Sequence, residues 1–290
     1  MLISLKAPAK INPVLEVLGK RPDGYHELSI LFQAIDLCDT VTFGGSNNGL
    51  SLRVFGETGG EVPTDDSNLA MKAARLFFQQ FPAKNQNVTI ELKKKIPVAA
   101  GLGGGSSDAA AVLLGFDILF QTNLGEEGLQ PLAEKLGSDV PFFLKGGTAL
   151  GTGRGEIITP LPPAPPMDLV LVKPAQGLST PEVYRSGKAQ ITRGEKTKAY
   201  LDLLPERRLP YLAGSLFNGL EPAAFFLEPE TQEIKRQLLE VGALGALVSG
   251  SGPTVFGVAP SGPAAEAIAG RVRANGRTVI LTRTISGLPD

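Results

Sequence analysis

The chain has 290 residues, 42% of them hydrophobic and 20% charged, with a formal net charge of −1, a balance that suits one large or two modest globular domains with real cores. Near-neutrality leaves no broad positive field and argues against nucleic acid or an acidic membrane as the main partner. A lone cysteine, Cys38, and a lone histidine, His26, exclude a disulfide framework, a cysteine-rich metal site, and a zinc site or Ser-His-Asp triad built on any other histidine.

No apolar run approaches the ~20 residues of a membrane span. The opening MLISLKAPAK reads as neither a signal peptide nor an Arg/Ser-rich transit segment, so the expected compartment is a reducing cytosol.

In chain order, residues 2–18 read as a strand pair broken at Pro8, followed by turn chemistry in RPDG, residues 21–24. Residues 28–35 and 40–43 read as further strands, and Leu50, Leu52 and Val54 alternate as another. A polar loop is expected over 56–66, a helix over 68–81 with Leu69, Ala73, Leu76 and Phe77 on one face, and a strand through Val88, Ile90 and Leu92. That strand feeds KIPVAAGLGGGSSDAAAVLL, residues 95–114, around which the chain is organised.

Gly101, Gly103, Gly104 and Gly105 allow backbone amides to approach a ligand closely. Ser106 and Ser107 are good N-caps, Asp108 suits the positive end of a helix dipole, and Ala109, Val112, Leu113, Phe116, Leu119 and Phe120 recur at helical spacing. Amides leading into a helix start make an anion site, most often for phosphate; the alternative is a flexible glycine linker. Neither of the common glycine loops fits: Ser106 stands where a Walker loop needs lysine, and the region 20 residues on, where a dinucleotide fingerprint needs an acidic strand residue, still reads as helix.

Beyond the loop, residues 126–136 read as a short helix ending at Gly137, and 146–161 as glycine-rich with two strands. The LPPAPP stretch, 161–166, is the best linker candidate. The second half opens with a buried strand, 169–173, then a loop holding STPEVYR, 179–185, and a charged stretch of unclear structure to about residue 210. Helices are expected at 214–226 and 229–241, then a strand at 244–249, the turn GSGP at 250–253, a strand at 254–258, a helix at 263–274 and a strand at 278–282. Such mixing predicts an α+β sandwich with mostly antiparallel sheet.

Three segments in order, APAKIN at 7–12, the glycine loop from Pro97, and LVSGSGPTVF at 247–256, resemble the motifs of the GHMP kinases. The resemblance covers nearly the whole chain and is weakest at 44–65 and 187–210. It implies a two-domain GHMP kinase fold: an N-terminal ribosomal-S5-like β/α domain over 1–160, a C-terminal ferredoxin-like α/β sandwich over 161–290, and the site in the cleft between them.

It implies catalytic roles for Lys10 and for Asp139 of GSDVPFF, the aspartate accepting the hydroxyl proton and the lysine keeping it ionised. By spacing alone Asp139 reads as a helix N-cap and Lys10 as a solvated strand residue; the resemblance reverses this. It assigns ATP binding to Lys95, Pro97, Gly101, Leu102, Gly103, Gly104, Gly105, Ser106 and Ser107, with the triphosphate on the two serines and the amides of Gly103 to Gly105. Mg²⁺ would sit chiefly on the phosphates, with Ser107 as a possible ligand. The run Lys93 to Lys95 reads either as a solvated strand end or as the edge of an adenine pocket. APAKINPVLEVLGKRPDGYHEL at 7–28, GLGGGSSDAA and GSDVPFF look like members that act on a cytidine diphosphate-linked small molecule, which implies stacking by Tyr25 and by Tyr184 of STPEVYR, an edge contact by His26, and positioning by Asn12 and Thr180. By themselves Tyr25 and His26 read as an ordinary surface pair.

A kinase acting on a smaller alcohol such as mevalonate or homoserine, and a catalytically inactive nucleotide or sugar sensor, remain as alternatives at this stage. No nucleic acid or membrane partner is expected, and the expected state is a monomer or weak homodimer. Alanines at 99 and 100 stand where related loops often carry further glycines.

Overall fold

The computed structural model describes residues 3–47, 49–56, 62–82 and 84–289, so Leu2 of the first expected strand and residues 57–61 of the expected polar loop lie outside the described residues. The chain begins with β1 (Ile3–Lys20), the turn through Arg21 to Tyr25, and β2 (His26–Gly45). There follow β3 (Ser51–Gly56), α1 (Leu69–Gln80), β4 (Val88–Lys94), α2 (Gly104–Phe120), α3 (Gly125–Leu136), a 3-10 turn at Pro141–Leu144, β5 (Thr148–Thr152) and β6 (Ile157–Pro160). The remainder comprises β7 (Asp168–Lys173), α4 (Thr180–Arg185), α5 (Glu195–Leu203), α6 (Leu209–Gly214), β8 (Phe217–Asn218), α7 (Glu221–Leu227), α8 (Glu230–Glu240), β9 (Gly245–Val248), β10 (Val255–Ala259), α9 (Gly262–Val272) and β11 (Thr278–Arg283).

The first sheet runs β3-β4-β2-β1-β8, with β5 on the other half of β2 and β6 on β5. The second runs β11-β7-β10-β9, all antiparallel, with α8 and α9 packed on it. Only the β1–β8 and β3–β4 pairs are parallel among the described residues. This is the α+β, ferredoxin-like second unit and mixed first unit expected of a GHMP kinase fold. No helix among the described residues is long and apolar enough to cross a membrane.

Four local expectations are corrected. Residues 2–18 form no strand pair: β1 is one strand, and a bulge between Pro8 and Ala9 absorbs the missing N–H of Pro8. Its residues 7–17 are buried on both faces, which erases the alternation that marks a half-exposed strand. Likewise the two strands expected at 28–35 and 40–43 are one, β2, with β5 and β4 paired to successive halves. The STPEVYR segment is a short helix, α4, started by Pro181 in its first turn. The helix expected over 214–226 is interrupted by β8, because Phe217 and Asn218 pair with Val14 and Leu15 and the Gly219 amide bonds the Leu15 carbonyl at 2.8 Å. The charged stretch before residue 210 contains α5 and α6.

Two local signals hold at the ends of α1 and α3. Asn68 caps α1, accepting from the Ala70 amide at 2.8 Å, and Gly137 ends α3. An aromatic cluster joins α1, α2 and the sheet: Phe116 meets Phe77 at 5.4 Å and Phe43 at 5.5 Å between ring centroids. That packing fixes α2, and with it the glycine loop, against the first sheet.

Candidate active site

Strand alternation puts Lys10 and Asn12 on one face of β1. The Lys10 ammonium donates to Asn12 Oδ1 at 2.7 Å and to the Gly101 carbonyl at 3.0 Å, and lies 3.6 Å from Asp139 Oδ2. Asn12 is held in turn by its donation to the Leu31 carbonyl at 3.2 Å. Burial pulls the Lys10 pKa below the ordinary lysine range, with the Asp139 carboxylate pulling it partly back. Asp139 sits in the turn between α3 and the 3-10 turn, about a third exposed to the cleft (31%).

The glycine loop closes over this pair. The Lys10 amide donates to the Leu102 carbonyl at 3.0 Å, and Gly103, at φ +74°, is the N-cap of α2. A Cβ on Gly103 would lie 2.7 Å from the Phe143 ring and 3.1 Å from Lys10 Cγ, so the approach requires glycine. The serines are not the caps: α2 starts at Gly104, and the first turn leaves the amides of Gly104, Gly105 and Ser106 without helical partners. Ser106 faces the cleft, whereas Ser107 is buried beneath it at 1% exposure, its hydroxyl without a partner. Ala99 takes φ +49°, a left-handed conformation that favours glycine, and lines the cleft beside the buried Ala100.

The second glycine turn packs against the first: Ser249 Oγ donates to the Gly101 carbonyl at 3.0 Å, and a Cβ on Gly250 would lie 2.9 Å from the Lys10 ammonium. Asn218 in β8 holds that turn, donating to the carbonyls of Val248 and Gly250 at 2.8 Å each while accepting from Leu220. Ser251 shares a 2.7 Å hydrogen bond with Thr180 at the start of α4.

A cleft of about 1200 Å³ lies between these parts, lined by Lys10, Asn12, Asp139, the loop from Pro97 to Ser106, Tyr25, His26, Thr180 and Tyr184. Two expected residues fall outside its lining: Lys95 points to solvent and Ser107 is buried. The lysine that does line it is Lys94. In β4 alternate side chains take opposite faces, so Lys93 and Lys95 are exposed and Lys94 is not. Lys94 bonds Asp108 at 2.7 Å and also Asp39, whose other oxygen accepts the amides of Lys95 at 2.6 Å and Ile96 at 2.9 Å. All three side chains are buried. Burial, reinforced by Asp39, raises the Asp108 pKa to about 7 against the opposing pull of Lys94. Sequence reading missed this cluster; the alternation within the lysine run was its one local signal.

The aromatic group is arranged differently from expectation. His26 and Tyr184 stack face to face, 5.1 Å between centroids and 25° between planes, whereas Tyr25 stands at the rim, 56% exposed, with the Arg154 guanidinium 4.8 Å from its ring centre. Burial raises the Tyr184 hydroxyl well above the ordinary tyrosine range. One cleft therefore joins a buried lysine paired with a partly exposed carboxylate, a run of free amides and an aromatic end.

Comparison with known proteins matches residues 68–147 to the GHMP kinases N terminal domain and 201–278 to the GHMP kinases C terminal domain. A relative from Pelotomaculum thermopropionicum, named 4-diphosphocytidyl-2-C-methyl-D-erythritol kinase, is 46% identical over 99% of this chain and 99% of its own. One of the same name from Moorella thermoacetica is 44% identical over 98% and 99% respectively. A solved 4-(cytidine 5'-diphospho)-2C-methyl-D-erythritol kinase superposes with a TM-score of 0.79 at 36% identity, covering 98% of this chain and all of its own (100%). A homoserine kinase from Cytophaga hutchinsonii, at TM-score 0.78, 22% identity and coverage of 99% and 95%, shares the fold.

Proposed function

The chain belongs to the 4-diphosphocytidyl-2-C-methyl-D-erythritol kinases, a branch of the GHMP kinases, and from that premise we propose that it transfers the γ-phosphoryl group of ATP to the 2-hydroxyl of 4-diphosphocytidyl-2-C-methyl-D-erythritol, in the non-mevalonate route to isoprenoid precursors. The observation that carries the chemistry is the Lys10–Asp139 pair, 3.6 Å apart beneath the glycine loop.

Asp139 accepts the proton of the attacking hydroxyl, and the Lys10 ammonium beside it orients that carboxylate and offsets charge at the reacting oxygens. The free amides of Gly104 to Ser106 and the Ser106 hydroxyl receive the phosphates. Cytosine takes the aromatic end, against Tyr25, His26 and Tyr184, with Asn12 and Thr180 orienting the rest; the His26–Tyr184 stack opens or slides to admit the base. Binding energy from that remote end aligns the hydroxyl with the γ-phosphorus.

Mg²⁺ bound with the nucleotide would supply positive charge to offset that on the transferring group. The oxygen donor of the loop that fits it in the cleft is the Ser106 hydroxyl, since the Ser107 hydroxyl is buried away from the lining, Asp108 is bonded to Lys94 and Asp139 is taken up with Lys10 and the proton. Residues 1–160 and 161–290 are the two units of this reading, meeting at the cleft. The enzyme acts in the cytosol, each copy with a complete cleft of its own, as a monomer or weak homodimer.

The test is ADP release with Mg·ATP on the cytidine diphosphate conjugate, on mevalonate and on homoserine, with Asp139→Asn alongside. The expected result is turnover on the conjugate alone, reduced by about 10²–10⁴-fold in the variant. Turnover on a smaller alcohol sinks the substrate; undiminished turnover in the variant sinks the base.

A further inference from the structure

The tip of the β5–β6 hairpin, Gly153 to Glu156, lies between the aromatic end of the cleft and the acid–base pair. The Leu28 amide bonds the Gly153 carbonyl at 2.8 Å, which anchors the tip to β2. On one side the Arg154 guanidinium rests 4.8 Å from the centre of the Tyr25 ring. On the other, a Cβ on Gly155 would come within 3.9 Å of Ser138, the neighbour of Asp139.

Arg154 is held at its root and open at its end. Its amide donates to Glu156 Oε2 at 2.6 Å and its Nε to Glu156 Oε1 at 3.4 Å, and among the described residues no hydrogen bond uses its two terminal nitrogens. The other carboxylates of this corner are engaged: Arg21 takes Asp23 at 3.1 Å and Glu27 at 2.7 Å. Arg154 lines the cleft with its side chain partly covered. A planar fork with its outer edge unpaired is suited to bidentate contact with phosphate oxygens.

We propose that Arg154 binds the diphosphate that links the base to the reacting alcohol, and so makes the cleft selective for a nucleoside diphosphate conjugate over a free polyol or nucleoside. This rests on the substrate reading above. A molecule with its base at Tyr25, His26 and Tyr184 and its hydroxyl at Asp139 carries two phosphates between those points. Arg154 stands on the hairpin tip that meets Tyr25 on one side and the neighbour of Asp139 on the other, its fork lining the cleft, whereas the Lys10 ammonium is already bonded to Asn12 and Gly101 and paired with Asp139.

The experiment is calorimetric titration of the full chain, with Mg·ADP saturating the nucleotide loop, using CDP and cytidine as probes. Wild type is expected to bind CDP at least about tenfold more tightly than cytidine. In Arg154→Gln that preference falls to within about twofold while cytidine and Mg·ADP affinities stay within about twofold of wild type. Arg154→Lys, which keeps the charge and loses the fork, falls between. Unchanged Mg·ADP affinity shows that the variants are folded; lost Mg·ADP binding in Arg154→Gln together with retained CDP preference in Arg154→Lys counts against the proposal. Equal weakening of CDP and cytidine overturns it, because Arg154 then only supports Tyr25. An undiminished CDP preference overturns it while leaving the substrate reading intact, whereas a wild type that binds neither probe overturns both.

Discussion

The Lys10 ammonium is buried, and its three N–H bonds face three acceptors: Asn12 Oδ1, the Gly101 carbonyl and the Asp139 carboxylate. Burial lowers its pKa, and the Asp139 carboxylate opposes that shift. Replacing it with methionine keeps the volume of the stem but leaves Asn12 Oδ1 and Asp139 without their cation. Lys10→Met is therefore expected to lose about 10²–10⁴-fold in kcat, with Mg·ADP affinity within about threefold of wild type, as steady-state rates and calorimetry would measure. Equal losses in turnover and nucleotide affinity would mean that Lys10 supports the glycine loop more than the chemistry. No local feature of APAKIN marks Lys10 as buried; the family resemblance singled it out, and only the folded chain brings Asp139, far along the sequence, to its side.

At the scale of elements, Asp39 joins three of them. One of its oxygens accepts the amides of Lys95 and Ile96 where β4 enters the loop, the other meets Lys94, and Lys94 reaches Asp108 in α2. Two carboxylates share one ammonium in a buried space, so Asp108 holds a proton up to about pH 7, against an unperturbed 3.8. Between those values the native state keeps a proton that the unfolded chain has released, so this group's contribution to stability is full below pH 3.8 and is lost as pH rises through about 7. Asp108→Asn removes that slope. Melting temperatures across this range should show wild type losing ground to the variant with rising pH; parallel curves would mean that Asp108 is ionised throughout.

The cluster also shows what sequence periodicity reports and what it omits. The start of α1 near Asn68 and the stop of α3 at Gly137 were legible, whereas the caps read at Ser106 and Ser107 give way to Gly103. The long strands β1 and β2 read as broken because burial on both faces and bulges hide alternation. The strand β8 was hidden inside an apparent helix, since only its register against Val14 and Leu15 makes it a strand. Asp39, Lys94 and Asp108 are widely separated in sequence, and the tertiary fold alone reveals that their charges meet.

For the whole molecule, the second half does not stay on its own sheet. Phe217 and Asn218 extend the first sheet, Thr192 donates to the Val17 carbonyl at 3.0 Å, and Ile285 donates to Ala34 at 3.0 Å while its carbonyl accepts from Gln33 at 2.9 Å. Cutting at the LPPAPP segment would strand these partners and expose the apolar edge of β1. The two units are thus expected to melt together, as one calorimetric endotherm whose enthalpy matches the van't Hoff value. Two resolved transitions would mean that these return contacts contribute little.

The two glycine turns restrict each other's history. A side chain on Gly101 would strike the Ser249 carbonyl, one on Gly250 would meet the Lys10 ammonium at 2.9 Å, and one on Gly252 would meet Val248 at 2.9 Å, while Gly105 has open room, its nearest neighbour Leu69 at 3.7 Å. Neither turn can drift in sequence unless the other moves with it. Diversification of this scaffold is therefore channelled away from the interlock and toward the cleft's far rim, where Tyr25 and Arg154 can be exchanged without disturbing the phosphate end. New acceptor alcohols could be accommodated there while the phosphoryl donor stays the same.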